Sequence, residues 1–331
     1  MSVPRVNLSP DPSVEFGSSS VSPVFSEKSG RLIAPIALFV YNRPNHTRRT
    51  VEALCANALS RQSDLFIFAD GAKNASGDSA VAAVREYIHT IDGFRSVTIT
   101  ERDHNLGLSK SVVSGVTQLC NQYGRAIVVE DDVVTAPDFL EFINRGLQRY
   151  VDDPRIFSVC AFNLPIAPPE DYSYDAFCSY RFMCWGWGTW KDRWDKADWS
   201  VKDFPEFSAD REKQRRFNRG GGDLSWSLVR HMAGKIDSWD TVWAYTHSKH
   251  DAFALLSVVS KAYNIGFDGT GMHCRRAPFK QNALPSEANS NYRFPDSATP
   301  DSFFIDEVRR LHRRSILRKT VRFLYDKIGL K

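Results

Sequence analysis

The chain has 331 residues, 42% of them hydrophobic and 25% charged, and a formal net charge of +4. That length suits one large α/β domain or two smaller ones with a sizeable core, and so small a positive balance gives no reason to expect nucleic acid as a partner. Six cysteines (Cys55, Cys120, Cys160, Cys178, Cys184 and Cys274) form no C-x-x-C pair. This argues against a zinc centre or a disulfide framework and for a reducing compartment.

Residues 1–33 read as a disordered tail, because Ser, Pro, Gly and Val alternate there without periodicity and offer little apolar surface to offset ordering entropy. Pro35 to Tyr41 is a buried-type strand. Asn42-Arg43-Pro44 then turns the chain into a helix with Val51, Leu54, Cys55, Ala58 and Leu59 at helical spacing. Leu65 to Ala69 predicts a second strand ending at Asp70-Gly71, Val81 to Ile91 a second helix, Val97 to Thr100 a third strand, and Ser109 to Cys120 a third helix. The β-branched run Ile127-Val128-Val129 is a fourth strand, buried on both faces, that ends in Glu130-Asp131-Asp132. A helix over Pro137 to Val151 and a strand over Ile156 to Cys160 follow. Successive strand–helix units predict an α/β fold with a mostly parallel, doubly wound sheet, whose ligands sit outside the carboxyl ends of the strands.

Asn42, Arg43, Asp70 and the acidic triplet all fall at that edge. Three adjacent acids repel one another and need a divalent cation or positive neighbours, unless they only form a solvated turn. Arg43 can fork onto a phosphate, Asp70 can accept from a base or ribose, and a metal on Asp132 can neutralise a pyrophosphate. In Asn105-Leu-Gly-Leu-Ser-Lys110, Gly107 permits close backbone approach to a ligand, Ser109 is a candidate N-cap, and Lys110 can reach phosphate at the helix start.

After Cys160 a Pro- and Tyr-rich stretch leads to Trp185, Trp187 and Trp190, spaced by Gly186 and Gly188. These indoles can stack on sugar rings or fill a core. Asp237 and Asp240, flanked by Trp239 and Trp243, are candidate general bases, with Asp237 placed first and Asp223, after a triple glycine, third. Helix capping is the alternative for Asp237. From Val308 onward, Arg309, Arg310, Arg313, Arg314, Arg318, Lys319 and Arg322 with Leu317, Val321, Leu324 and Ile328 describe a basic amphipathic helix. It is suited to an anionic membrane surface or to packing on the body. No basic-then-apolar leader and no long apolar run occurs, so neither signal peptide nor membrane span is expected.

Val40-Tyr-Asn-Arg-Pro44, Phe68-Ala-Asp-Gly71, Asn105 to Lys110, Val129-Glu-Asp-Asp132, Trp185 to Trp190 and Asn264 to Gly269 together resemble bacterial nucleotide-sugar glycosyltransferases of the GT-A fold, family 2-like. The triplet is similar to that of the N-acetylglucosaminyltransferase I type. The resemblance implies a GT-A domain over 34–280, with a nucleotide-sugar-binding half (34–160) and an aromatic-rich acceptor half (161–280), and a C-terminal extension over 281–331. It implies donor contacts from Asn42, Arg43, Asp70, Asn105, Gly107, Lys110, Glu130 and Asp131. Mn²⁺ or Mg²⁺ would sit on Asp132 and His273, and an acceptor against Trp185, Trp187 and Trp190. The expected reaction is inverting transfer from a nucleotide diphosphate sugar, with UDP-sugars favoured, to a glycan or lipid-linked glycan. The expected setting is the cytoplasm or the inner membrane surface. A sugar-1-phosphate nucleotidyltransferase is the rival enzyme, although Asn42-Arg43-Pro44 stands where its Gly-rich loop belongs. A non-catalytic carbohydrate-binding or toxin-like protein is the other rival.

Overall fold

The computed structural model describes residues 25–26, 31–74, 77–269 and 280–312. Its centre is an eight-stranded mixed, mostly parallel sheet flanked by helices. The strands are β1 (Ile36–Val40), β2 (Asp64–Ala69), β3 (Ser96–Glu101), β4 (Arg125–Glu130), β6 (Ile156–Cys160), β7 (Ala176–Ser179), β8 (Trp187–Trp190) and β9 (Phe253–Ser257). They lie in the order β3-β2-β1-β4-β8-β6-β9-β7. A separate two-stranded ladder pairs β5 (Val133–Thr135) antiparallel with β10 (Ala262–Asn264).

The first three strand–helix units match the sequence reading, since β1 pairs in parallel with both β2 and β4, and β2 with β3. Their helices are α1 (Pro44–Cys55), α2 (Asp78–Ile88) and α3 (Leu108–Tyr123). Pro44 opens α1 because its fixed φ and missing N–H suit the first helical position. The helix stops at Cys55, short of the predicted Leu59. Asn57 Nδ2 and Ser60 Oγ donate to the carbonyls of Ala53 (2.9 Å) and Cys55 (3.0 Å), satisfying the helix end. The N-cap of α3 is Gly107, at φ 81°, rather than Ser109, which is buried at the second helical position. At the far end Gly124 (φ 74°) closes α3 through a left-handed cap, its N–H donating to Cys120 O.

The largest departure is β8. Residues Trp187–Trp190 form an antiparallel strand inserted between β4 and β6, with Trp187 opposite Val128 and Cys160. Side chains alternate across a strand, so Trp187 and Trp190 face opposite ways. Trp190 donates its indole N–H to Leu147 O (3.1 Å) of α4 (Phe139–Arg149). Trp187 stacks on Trp239 (5.5 Å, 23°) and lies 6.4 Å from Trp243, both on α9 (Trp239–Lys249). Between them Gly188 lets α4 approach, because a Cβ there would stand 2.9 Å from Ile143 Cγ2. The helices α5 (Lys191–Trp194), α6 (Phe204–Ala209), α7 (Arg211–Phe217) and α8 (Leu224–Met232) precede α9. Trp194 and Trp199 extend the same aromatic cluster to Trp243.

One apolar core runs from Ala34 to Val308. The residues after 280 join it. Tyr292 and Phe294 pack on Phe142, and the helix α10 (302–312) stacks Phe304 on Phe177 at 3.9 Å. Among the described residues no helix is long and apolar enough to cross a membrane. The basic run from Arg313 onward lies outside them.

Asp138 and Lys261 form a buried ion pair (2.7 Å) under the β5–β10 ladder, and Asp138 also accepts from Tyr292 OH (2.6 Å) and Asn289 N (3.0 Å). Breaking a buried pair on one side strands the other charge. Lys261→Met is therefore expected to destabilise the fold by about 3–5 kcal/mol in chemical denaturation.

Candidate functional site

The carboxyl ends of β1, β2 and β4 open into a cavity of about 450 Å³. It is lined by Asn42, Arg43, Asp70, Asn105, Gly107 and the whole acidic triplet, and by Trp185, Asp237, Asp240, Asn264, Gly266 and Phe267 from the second half of the chain.

Glu130 ends β4, and Asp131 and Asp132 make the turn by which the chain leaves the main sheet for β5. Burial penalises all that negative charge. The Glu130 carboxyl is raised well above its ordinary range by burial, then by Asp132, Asp131 and Asp240. Burial pushes Asp131 up to about 6 even though Arg43 pulls it back. Arg43 is the compensating group. Its Nη2 donates to Asp131 Oδ1 and to Asp132 Oδ2, the latter at 2.9 Å, and although burial opposes its charge the two carboxylates raise it further. Asn264 Nδ2 donates to Asp132 Oδ1 (3.2 Å), and Ile265 N to Asp132 O (2.8 Å). Asn264 is brought there by the β5–β10 ladder, where it pairs with Val133. Gln281 clasps it through both of its backbone groups, at 2.8 and 2.7 Å. Gly266 presses on the same spot, since a Cβ there would stand 2.1 Å from Asp132 Oδ2.

Asp70 organises the opposite wall. Its carboxylate accepts N–H bonds from Gly71 (3.2 Å), Leu106 (2.9 Å) and Gly107 (3.0 Å), while Asn105 Nδ2 donates to Gly71 O (2.8 Å). The strand end thus fixes the loop that starts α3. Gly71 has to be glycine, because a Cβ would lie 2.6 Å from the His104 backbone. Lys110 stands exposed and does not line the cavity.

The third wall is the start of α9. Ser238 is its N-cap residue, so Asp237 has no capping role; it is exposed, with Oδ2 within 3.9 Å of where a Cβ on Gly107 would sit. Asp240 is half-buried in the first turn and accepts from Ser238 Oγ; its charge is felt at both Glu130 and Cys184. Ser238 N donates to Nδ1 of the buried His231 (3.2 Å). Asp223 lies outside the cavity, tied by two bonds (2.9 and 3.0 Å) to Arg181, which help hold its carboxyl far below the usual range against the effect of burial. Of the three tryptophans only Trp185 reaches the cavity, with its ring at 5.4 Å from Phe267; Trp187 and Trp190 are core. Asn264, Gly266 and Phe267 carried no assigned role in the sequence, although they stand in one of its motifs. His273 lies outside the described residues, as does Cys274; the other five cysteines are free.

Among the described residues no three His, Cys, Asp or Glu side chains converge into a cation cage. The donors present instead fit a cation that arrives with phosphate, since Mg²⁺-type sites take one or two carboxylates and leave the rest to water and phosphate oxygens.

No family model matches the chain. It is 24% identical over 186 residues to the alpha-1,3-mannosyl-glycoprotein 2-beta-N-acetylglucosaminyltransferase of Arabidopsis thaliana, covering 50% of this chain and 41% of that one. The chain thus spans less than half the length of that relative. Among solved structures it is similar to the mannosyltransferase PcManGT of Pyrobaculum calidifontis in complex with GDP-Man and Mn²⁺ (TM-score 0.38, 12% identity, 71% of this chain and 77% of that one). It is also similar to S. aureus TarS (TM-score 0.35, 9% identity, 50% and 30%). Neither superposition is close enough to carry a functional argument.

The Glu130 carboxyl gives a test in metal-free buffer. A carboxyl whose folded pKa is raised keeps its stabilising contribution at low pH and loses it as pH rises toward that folded value. Glu130→Gln, which cannot ionise, should match the wild-type melting temperature near pH 4 and exceed it by ~3 °C or more at pH 8.

Proposed function

We propose that the protein is a metal-dependent, inverting GT-A-type glycosyltransferase that uses a nucleoside diphosphate sugar. One observation carries this reading: the strand-end acids, the Asp70-held loop and Asp237 and Asp240 at the start of α9 meet in a single cavity at the carboxyl edge of the sheet, where α/β folds of this kind bind ligands. The weak likeness to a plant N-acetylglucosaminyltransferase supports it. Six carboxyl groups against Arg43 and Lys73 line the cavity, so a diphosphate needs a cation in order to enter. That favours an enzyme over a lectin-like binder.

Asp132 would hold Mn²⁺ or Mg²⁺, with Asn264 fixing its carboxylate. When bound, the cation would neutralise the departing diphosphate. The protein's own groups do the rest. Asp70 and Asn105 set the floor on which nucleoside and ribose rest, and Gly107 keeps that floor open. Glu130, half-buried at the end of β4 and with its carboxyl raised by burial and the neighbouring acids, faces the donor sugar and hydrogen-bonds it. Trp185 and Phe267 offer aromatic faces to the acceptor ring. Inversion requires a base on the face of the sugar opposite the leaving group. We favour Asp240, half-buried and held by Ser238, over the exposed Asp237, although the sequence reading puts Asp237 first. The acceptor we propose is a glycan or lipid-linked glycan, and the donor a UDP-sugar.

Calorimetry with UDP and Mn²⁺ tests the reading, and the absence of nucleotide binding would end it. Asp132→Asn is expected to lower Mn²⁺-dependent UDP affinity by about 10–100-fold. Asp240→Asn should leave UDP binding intact while reducing transfer by about 10²–10⁴-fold, measured against a panel of nucleotide sugars; full activity in that variant would move the base to Asp237.

A further inference from the structure

A single guanidinium nitrogen, Arg43 Nη2, bridges carboxylate oxygens of Asp131 and Asp132. All three side chains are largely shielded from water, and Gly266 closes the space above them, its Cβ position standing 2.1 Å from Asp132 Oδ2 and 3.0 Å from Arg43 Nη1. A divalent cation bridging or approaching those carboxylates would meet the guanidinium at contact distance, with like charges in a poorly hydrated corner. The cation and Arg43 in this position therefore exclude each other.

We propose that Arg43 is a built-in counter-cation that keeps the acid pair closed to metal until a diphosphate arrives. The idea rests on the metal–diphosphate reading above and adds an order to it. A diphosphate presents planar oxygen pairs that a guanidinium binds through two parallel bonds at least as well as it binds two separate carboxylates. Transfer of Arg43 from the carboxylates to the phosphate frees Asp132 at the moment when phosphate oxygens become available to complete the cation's shell. Metal and nucleotide then enter as one unit, and free cation does not lock the empty site. Thermodynamic reciprocity makes the coupling equal in both directions.

Two features make this specific to the chain. Arg43 is held at the end of β1 by the turn that Pro44 fixes, so its side chain reaches the acids from a rigid base. It also lies on the cavity wall together with Asp70 and Asn105, so the same side chain can face either the acids or a diphosphate in the cavity.

Mn²⁺ binding followed by the electron spin resonance of the free ion tests the proposal without any turnover. Wild-type protein alone should bind Mn²⁺ weakly, and Arg43→Gln alone should bind it about tenfold or more tightly. Added UDP should tighten Mn²⁺ binding strongly in the wild type and by a smaller factor in the variant. Equal Mn²⁺ affinity of the two proteins without UDP would overturn the proposal, and weaker binding by the variant would do the same. If wild type binds no Mn²⁺ even with UDP, the metal-dependent reading itself falls, and this inference with it. Should Arg43→Gln fail to fold, Arg43→Met removes the charge while keeping an apolar stem: a gain in UDP-free Mn²⁺ affinity supports the proposal, and no gain overturns it.

Discussion

The structure turns on one electrostatic problem, which is how to hold three consecutive acids at the end of a buried strand. β4 is apolar on both faces and delivers Glu130, Asp131 and Asp132 into a place where water cannot solvate them well. The fold answers with Arg43 from the turn between β1 and α1 and with Asn264 from the β5–β10 ladder, while the Glu130 carboxyl is raised well above its ordinary range. Each answer comes from a different part of the chain. The site is therefore as much a product of the sheet order as of the triplet.

A second constraint is the aromatic core beneath the third wall. Trp187, Trp194, Trp199, Trp239 and Trp243 pack in a chain of ring contacts, with His247 and Ser158 completing the polar edge, where Ser158 Oγ accepts from Trp243 Nε1 at 2.9 Å. α9 starts on this platform. Asp240 is therefore carried by a helix whose first turn is anchored through Trp239, and a group set on a rigid element holds its geometry better than one on a loop.

Much of this was legible in the residues. Runs such as Ile127-Val128-Val129 and Ile36 to Val40 declare strands, proline and glycine mark their ends, and three strand ends with acids or donors converge once the sheet is parallel. What was not legible depends on distant partners. Trp185 to Trp190 has the composition of a sugar platform, and only its pairing with β4 and β6 makes Trp187 and Trp190 core. Asp223 looks available until Arg181 is beside it. Gly266 has ordinary backbone angles, so nothing local says that its missing side chain makes room for Asp132. Asp70 was read as a ligand group, and nothing around it in sequence announces that its oxygens already hold the amides of Leu106 and Gly107.

The Gln281 clasp on Asn264 has a consequence for how such a protein can diversify. The chain leaves the acid pair at Asn264 and returns to the same residue at Gln281, so whatever lies between is a closed excursion with a fixed anchor. Closure entropy grows only slowly with loop size. Changes of length between Phe267 and Gln281 therefore cost little closure entropy, whereas Asn264, Ile265, Gly266 and Phe267 have to stay as they are for the acids to keep their neighbours.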